Sequence, residues 1–171
     1  MSFMKNSLVV LLVLYFTACA LQTNDKSSEK SEKFAFSFSE KYIGLEKNRT
    51  FQWLGIPYAQ APVGSLRWKA PRSLENENDQ VKAIEFSNPC PQVESISIDK
   101  KGEGEFLGSE DCLFLNIFAP KNISSDKKLP VMFWIHGGGN TSGEAGSYDF
   151  SKLAAAHDLV IVSINYRLGF W

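Results

Sequence analysis

Three consecutive glycines, Gly137, Gly138 and Gly139, follow His136 at the end of the apolar run Val131–Ile135. A buried strand that runs straight into such a turn leaves backbone N–H groups at its end. Consecutive N–H groups converge on one point only when the backbone takes unusual φ/ψ values, which glycine permits. Converging N–H groups suit a negatively charged oxygen, such as the one that develops in the tetrahedral intermediate of acyl transfer. Donors of this kind must be in place before the charge appears, and losing one costs about 2.7–4 kcal/mol of transition-state stabilisation. A bare Gly-Gly-Gly reads equally well as a flexible turn. The apolar strand and His136 in front of it weigh against that here.

Other groups with chemical potential fare worse. His136 is tempting as a general base, and His157 lies on an Ala-rich segment where a surface or helix-terminal position is expected. The acidic residues Glu103, Glu105, Glu110 and Asp111 lack the His or Cys spacing of a metal site, so no metal and no cofactor is expected. A catalytic thiol is disfavoured because neither Cys90 nor Cys112 has a histidine nearby in sequence. No Gly-x-Ser-x-Gly segment occurs in the 171 residues.

The elements around the glycines read as follows. Phe34–Ser39 alternates aromatic and small residues, as a half-buried strand does. Gly44 and Asn48 are expected to punctuate a hairpin, and Thr50–Leu54 continues as strand. Ala61–Ser65 is a turn-rich loop, Val81–Phe86 a short strand, and Ile96–Gly108 an exposed loop. Leu113–Ala119, Val131–His136 and Leu159–Asn165 are apolar on both faces, which predicts a sheet covered on both sides. Between the last two, Asp149–His157 is a short Ala-rich helix capped by Asp149 or Ser147. The fold class is therefore α/β: an antiparallel meander leading through a βαβ unit into a mixed, mostly parallel sheet. The helices that would cover 131–136 and 159–165 are largely missing, so Leu159–Asn165 is expected to lie at an unprotected edge and the isolated chain to be insoluble or molten.

Composition bounds the rest. The chain is 44% hydrophobic with a formal net charge of -1 and no basic block, so a nucleic-acid partner is not expected. Lys5, the apolar run Leu8–Phe16 and the small residues Thr17–Ala20 form a secretory signal too short to span a membrane stably. Two cleavage sites compete. Phe16-Thr17-Ala18-Cys19 resembles a bacterial lipobox, with Phe16 where Leu is usual. That makes 1–18 the signal, Cys19 a lipidated first residue anchoring the chain to a membrane, and 19–33 a flexible polar tether. Alternatively, cleavage after Ala20 discards Cys19. The destination is accordingly the periplasm or outer membrane of a bacterium, or the secreted fraction. Either fate of Cys19 leaves Cys90 and Cys112, expected to form a disulfide in an oxidising compartment, with two buried free thiols as the alternative.

From about Gly44 onward the chain resembles the N-terminal part of the type-B carboxylesterase family, the cholinesterase-like α/β-hydrolases. The resemblance rests on Phe51–Ala59, Ala61–Trp68, Cys90-Pro91-Gln92, Ser109–Asn116, His136–Gly139 and Asn165–Gly169, in the family's order. Ser109–Asn116 separates this family from other esterases with a His-Gly-Gly-Gly segment. The resemblance implies an α/β-hydrolase fold over 34–171 and a Cys90–Cys112 disulfide. It further implies an Arg67–Glu110 ion pair and oxyanion-hole donors at Gly138 and Gly139, supported by Gly137 and a structural His136. It implies a serine esterase acting on small carboxylic esters, whose triad lies beyond Trp171, so that this chain alone is inactive. A non-catalytic adhesion or binding relative and an inactive truncated product remain the alternatives. One departure is Asn140, where the family usually has an aromatic residue. Asn48, Asn122 and Asn140 each begin a glycosylation sequon.

Overall fold

The computed structural model describes residues 34–35, 41–75, 79–93, 106–124 and 127–169. The signal, Cys19, the tether, Glu103, Glu105 and most of the 96–108 segment lie outside these residues.

The chain opens as a meander. β1 (Phe34–Ala35), β2 (Tyr42–Lys47) and β3 (Thr50–Pro57) pair antiparallel in sequence order. Asn48 and Arg49 join β2 to β3 with φ of 52° and 61°, the two left-handed residues of a tight hairpin turn. The buried Thr50 hydroxyl closes that turn by donating to the Lys47 carbonyl at 2.7 Å. Gly44 does not punctuate the hairpin. It lies inside β2, where a Cβ would overlap the Gln52 carbonyl and press on the Trp53 indole.

β4 (Val81–Lys82) runs parallel to β2, and a single bridge joins Ile84 to Leu54. β5 (Gln92–Val93) and β6 (Phe106–Leu107) make a separate antiparallel pair, so the end of the expected 96–108 loop is strand. β7 (Phe114–Pro120) lies antiparallel to β3. Their register shifts between Trp53 and Ile56, and the Asn116 side chain fills the gap by accepting the Gly55 N–H at 2.9 Å.

β8 (Val131–Ile135), α1 (Ser151–His157) and β9 (Val160–Ile164) form the βαβ unit, with β8 parallel to β9. The helix starts two residues later than expected. Asp149 still holds its first turn by accepting the Ser151 N–H at 2.9 Å. Asp158, at φ 50°, ends it in a left-handed conformation. The main sheet order is β1-β2-β3-β7-β9-β8. The sheet is mixed, with an antiparallel meander leading into the parallel β8–β9 pair.

The two faces of this sheet differ. On one, Ala154 of α1 packs on Phe118, Ile161 and Leu54, with Met132, Phe150 and Leu159 around them. Alanine at 154 lets the helix backbone approach the sheet closely. On the other face, Trp53, Ile117, Val162 and Phe133 form one cross-strand row. Its first member is 5% exposed and its last 55%. Val131 and Ile135 are also exposed. One expectation is therefore corrected. β9 is not an edge, because β7 and β8 flank it; among the described residues β8 is the edge. The exposed face of β8 agrees with the expectation that few helices are present to cover it.

Candidate active site

β8 delivers His136 to the carboxyl end of the parallel pair, the end at which open α/β sheets bind ligands. His136 is 5% exposed, and its ring stacks on Tyr166 with centroids 4.2 Å apart and planes 15° from parallel. The Tyr166 hydroxyl donates to the His136 carbonyl at 2.6 Å. His136 Nδ1 sits 2.8 Å from the Gly137 carbonyl, which can only accept, so the proton is assigned to Nδ1. Its Nε2 has no hydrogen-bond partner among the described residues. Neither His136 nor His157 is hydrogen-bonded to a Ser, Thr or Cys side chain, so no nucleophile–base pair forms among the described residues.

The three glycines are not equivalent. Gly138 and Gly139 have φ of 108° and 61°, whereas Gly137 has no positive φ and open space where a Cβ would project. At Gly138 a Cβ would overlap the Ser142 carbonyl. The Gly138 carbonyl is saturated: it accepts the Thr141 hydroxyl at 2.9 Å and the N–H groups of Thr141 and Ser142 at 3.0 and 3.2 Å. By contrast, the Gly138 and Gly139 N–H groups donate to no described residue, and both glycines are exposed. The turn thus ties up the Gly138 acceptor, whereas no N–H from Gly137 to Asn140 has an acceptor among the described residues. Asn140 continues the left-handed run at φ 61°, a conformation asparagine tolerates better than an aromatic residue does. Its carbonyl accepts the Gly169 N–H at 2.5 Å.

The far end of the loop is Gly143, at φ 112°, packed so closely that a Cβ would overlap His136 Nδ1. The Gln92 carboxamide holds both polar groups of Gly143: Oε1 accepts its N–H at 2.8 Å and Nε2 donates to its carbonyl at 2.9 Å. Nε2 also donates to the Cys90 carbonyl at 3.1 Å.

Beneath the loop runs a buried polar seam. Asn116 donates to the Ser163 hydroxyl at 3.1 Å, and Ser163 donates to the Ala145 carbonyl at 3.0 Å. Asn165 Oδ1 accepts the Ala145 N–H at 2.6 Å, while its Nδ2 donates to the Asn88 carbonyl at 3.1 Å and to Ser87 Oγ at 3.3 Å. The Tyr58 hydroxyl donates to the Asn165 carbonyl at 2.7 Å. Burial pushes the Tyr58 phenol up, with Arg167 nearby pulling it the other way.

Two residue pairs named from the sequence are brought together. Cys90 and Cys112 are joined as a disulfide, buried with Ala59, Leu113 and Leu168. Arg67 meets Glu110 through two charge-assisted hydrogen bonds, Nε to Oε1 at 2.5 Å and Nη2 to Oε2 at 2.6 Å. Arg67 holds the Glu110 carboxyl below its ordinary value, and Glu110 raises the Arg67 guanidinium in turn. Gln92, Tyr166 and Asn165 received no role from sequence, although each lies in a segment that carried the family resemblance. Among the described residues no three His, Cys, Asp or Glu side chains gather as a metal site would require, and no helix is long and apolar enough to cross a membrane.

Comparison with known proteins places this geometry. Residues 40–171 match the profile described as the carboxylesterase family. The chain is 46% identical over 132 residues to the para-nitrobenzyl esterase of Bacillus subtilis, covering 75% of this chain and 26% of that protein. It is 33% identical over 170 residues to liver carboxylesterase B-1 of Rattus norvegicus, covering 94% of this chain and 30% of the relative. A solved PNB esterase superposes with a TM-score of 0.67 at 39% identity, over 81% of this chain and 28% of the other. The Aspergillus niger EstA structure does so at 0.62 and 31%, over 83% and 27%. The chain thus spans less than a third of the length of these relatives. With its sheet, its disulfide and these matches, the chain belongs to the carboxylesterase family.

Proposed function

We propose that this chain is the N-terminal part of a serine carboxylic-ester hydrolase, and that its Gly138 and Gly139 N–H groups are oxyanion-hole donors. The observation that carries the reading is that, at the carboxyl end of β8, Gly138 and Gly139 combine positive φ with exposed N–H groups that donate to no described residue. These exposed N–H groups meet water, which an oxyanion can replace without breaking a hydrogen bond within the fold. Gly137 and His136 support that turn, and the Arg67–Glu110 pair fixes the loop before β7 to the segment after β3. Nucleophile, acid and base come from residues beyond Trp171, and the substrate is a small carboxylic ester. No cofactor is required.

The first residues act as an export signal, with lipidation at Cys19 preferred over cleavage after Ala20. The Cys90–Cys112 disulfide supports passage through an oxidising compartment.

The test extends the coding sequence past Trp171 and assays the product on a p-nitrophenyl ester. Hydrolysis is expected, and Gly138→Ala is expected to lower kcat by about 100-fold or more. An inactive product, or an unaffected Gly138→Ala enzyme, contradicts the reading.

A further inference from the structure

The donor turn does not hold itself. Within it, Gly138 anchors only the Thr141–Ser142 side, and the loop's return is fixed at Gly143. Both polar groups of Gly143 are bound by one side chain 51 residues away, that of Gln92. The Gln92 amide also reaches the carbonyl of Cys90, half of the buried disulfide. Gln92 is 9% exposed, so water does not substitute readily for these bonds. Gly143 in turn is wedged against the His136 ring and lies close to the Gly137 carbonyl.

We propose that Gln92 is a positioning residue for the oxyanion loop, acting through Gly143 and taking its own position from the Cys90–Cys112 disulfide. The inference rests on the reading of Gly138 and Gly139 as donors. Gln92 touches neither substrate nor reacting atoms; it sets where the donors point. A carboxamide is suited to this because it presents one donor and one acceptor in the plane that a peptide unit needs, as a neighbouring strand would. Removing it leaves the Gly143 N–H and carbonyl unsatisfied. The loop then shifts, and oxyanion donors tolerate little displacement.

The experiment compares wild type, Gln92→Leu and Gln92→Glu in the protein extended past Trp171. Gln92→Leu is expected to lower kcat on a p-nitrophenyl ester by about 10- to 100-fold, with KM changed less than about threefold. Gln92→Glu keeps an acceptor for the Gly143 N–H and loses the donor, so it is expected to fall between. It also serves if Gln92→Leu fails to fold. Hydrogen exchange of Thr141, Ser142 and Gly143, whose N–H groups are bonded, supplies a readout independent of turnover, with protection expected to fall at least about tenfold in the variants. Unchanged kcat together with unchanged exchange overturns the inference. If the wild type itself does not hydrolyse the ester, the esterase reading fails, and the exchange comparison alone decides whether Gln92 positions the loop.

Discussion

The buried seam and the glycine turn lie close together and follow opposite rules. In the seam, the side chains of Asn116, Ser163 and Asn165 spend their donors and acceptors on one another and on the Gly55, Ala145 and Asn88 backbone. In the turn, the Gly138 carbonyl takes three hydrogen bonds while the Gly138 and Gly139 N–H groups give none to a described residue. Buried polar groups without partners are costly, so the seam is closed because it is dry. The turn stays open because it faces solvent and is held from behind. Stability is placed in one region and chemical capacity in the other.

The largest effect on stability is expected from breaking the seam. Asn165→Leu strands the buried Ala145 N–H, and should cost up to about 3 kcal/mol in chemical denaturation of the extended protein. A loss below about 1 kcal/mol would mean that the seam is wetter than its burial indicates. Replacing Cys90 and Cys112 together by Ala should cost about as much or slightly less, near 3 kcal/mol in the chain-entropy account. It should also lower kcat if Gln92 depends on the disulfide; equal kcat in both proteins would separate the disulfide from the turn.

How much of this was legible in the sequence follows from the kind of signal each region leaves. Apolar runs at 113–119, 131–135 and 159–165 announced three strands, and the Ala-rich segment between the last two announced the helix. The odd cysteine count pointed to Cys90 with Cys112, and the family resemblance supplied Arg67 with Glu110. The seam and the Gln92–Gly143 link left no such trace. They join side chains to backbone across 18 to 77 residues, and no periodicity encodes that. The open face of β8 was legible: Val131, Phe133 and Ile135 are apolar, and the sequence supplies few helices to cover them. That face makes the isolated chain prone to associate, and light scattering of residues 34–171 should show it. A monodisperse monomer would speak against this.

The smallest effect is at the edge of the comparison, where Asp149 caps α1 through Ser151. Partial burial works against the charged carboxylate, but the Ser151 hydroxyl and N–H, with Lys47 and Lys152, outweigh it and hold Asp149 below 3.8. A lowered folded value adds stability above pH 3.8 that is lost as pH falls through the folded value. Asp149→Asn should therefore cost about 0.5–1 kcal/mol near neutrality, discounted for solvent screening. The gap to wild type should close only below about pH 4. A gap that persists unchanged once Asp149 is fully protonated would assign the effect to packing.

The central claim is that the open N–H groups of Gly138 and Gly139 receive a negatively charged oxygen. A crystal structure of the extended protein bearing a trifluoromethyl ketone adduct tests it directly. The account predicts the adduct oxyanion within about 2.7–3.1 Å of both nitrogens, with the turn unmoved and Gln92 still on Gly143. An oxyanion bound elsewhere, with both N–H groups still facing solvent, would contradict it.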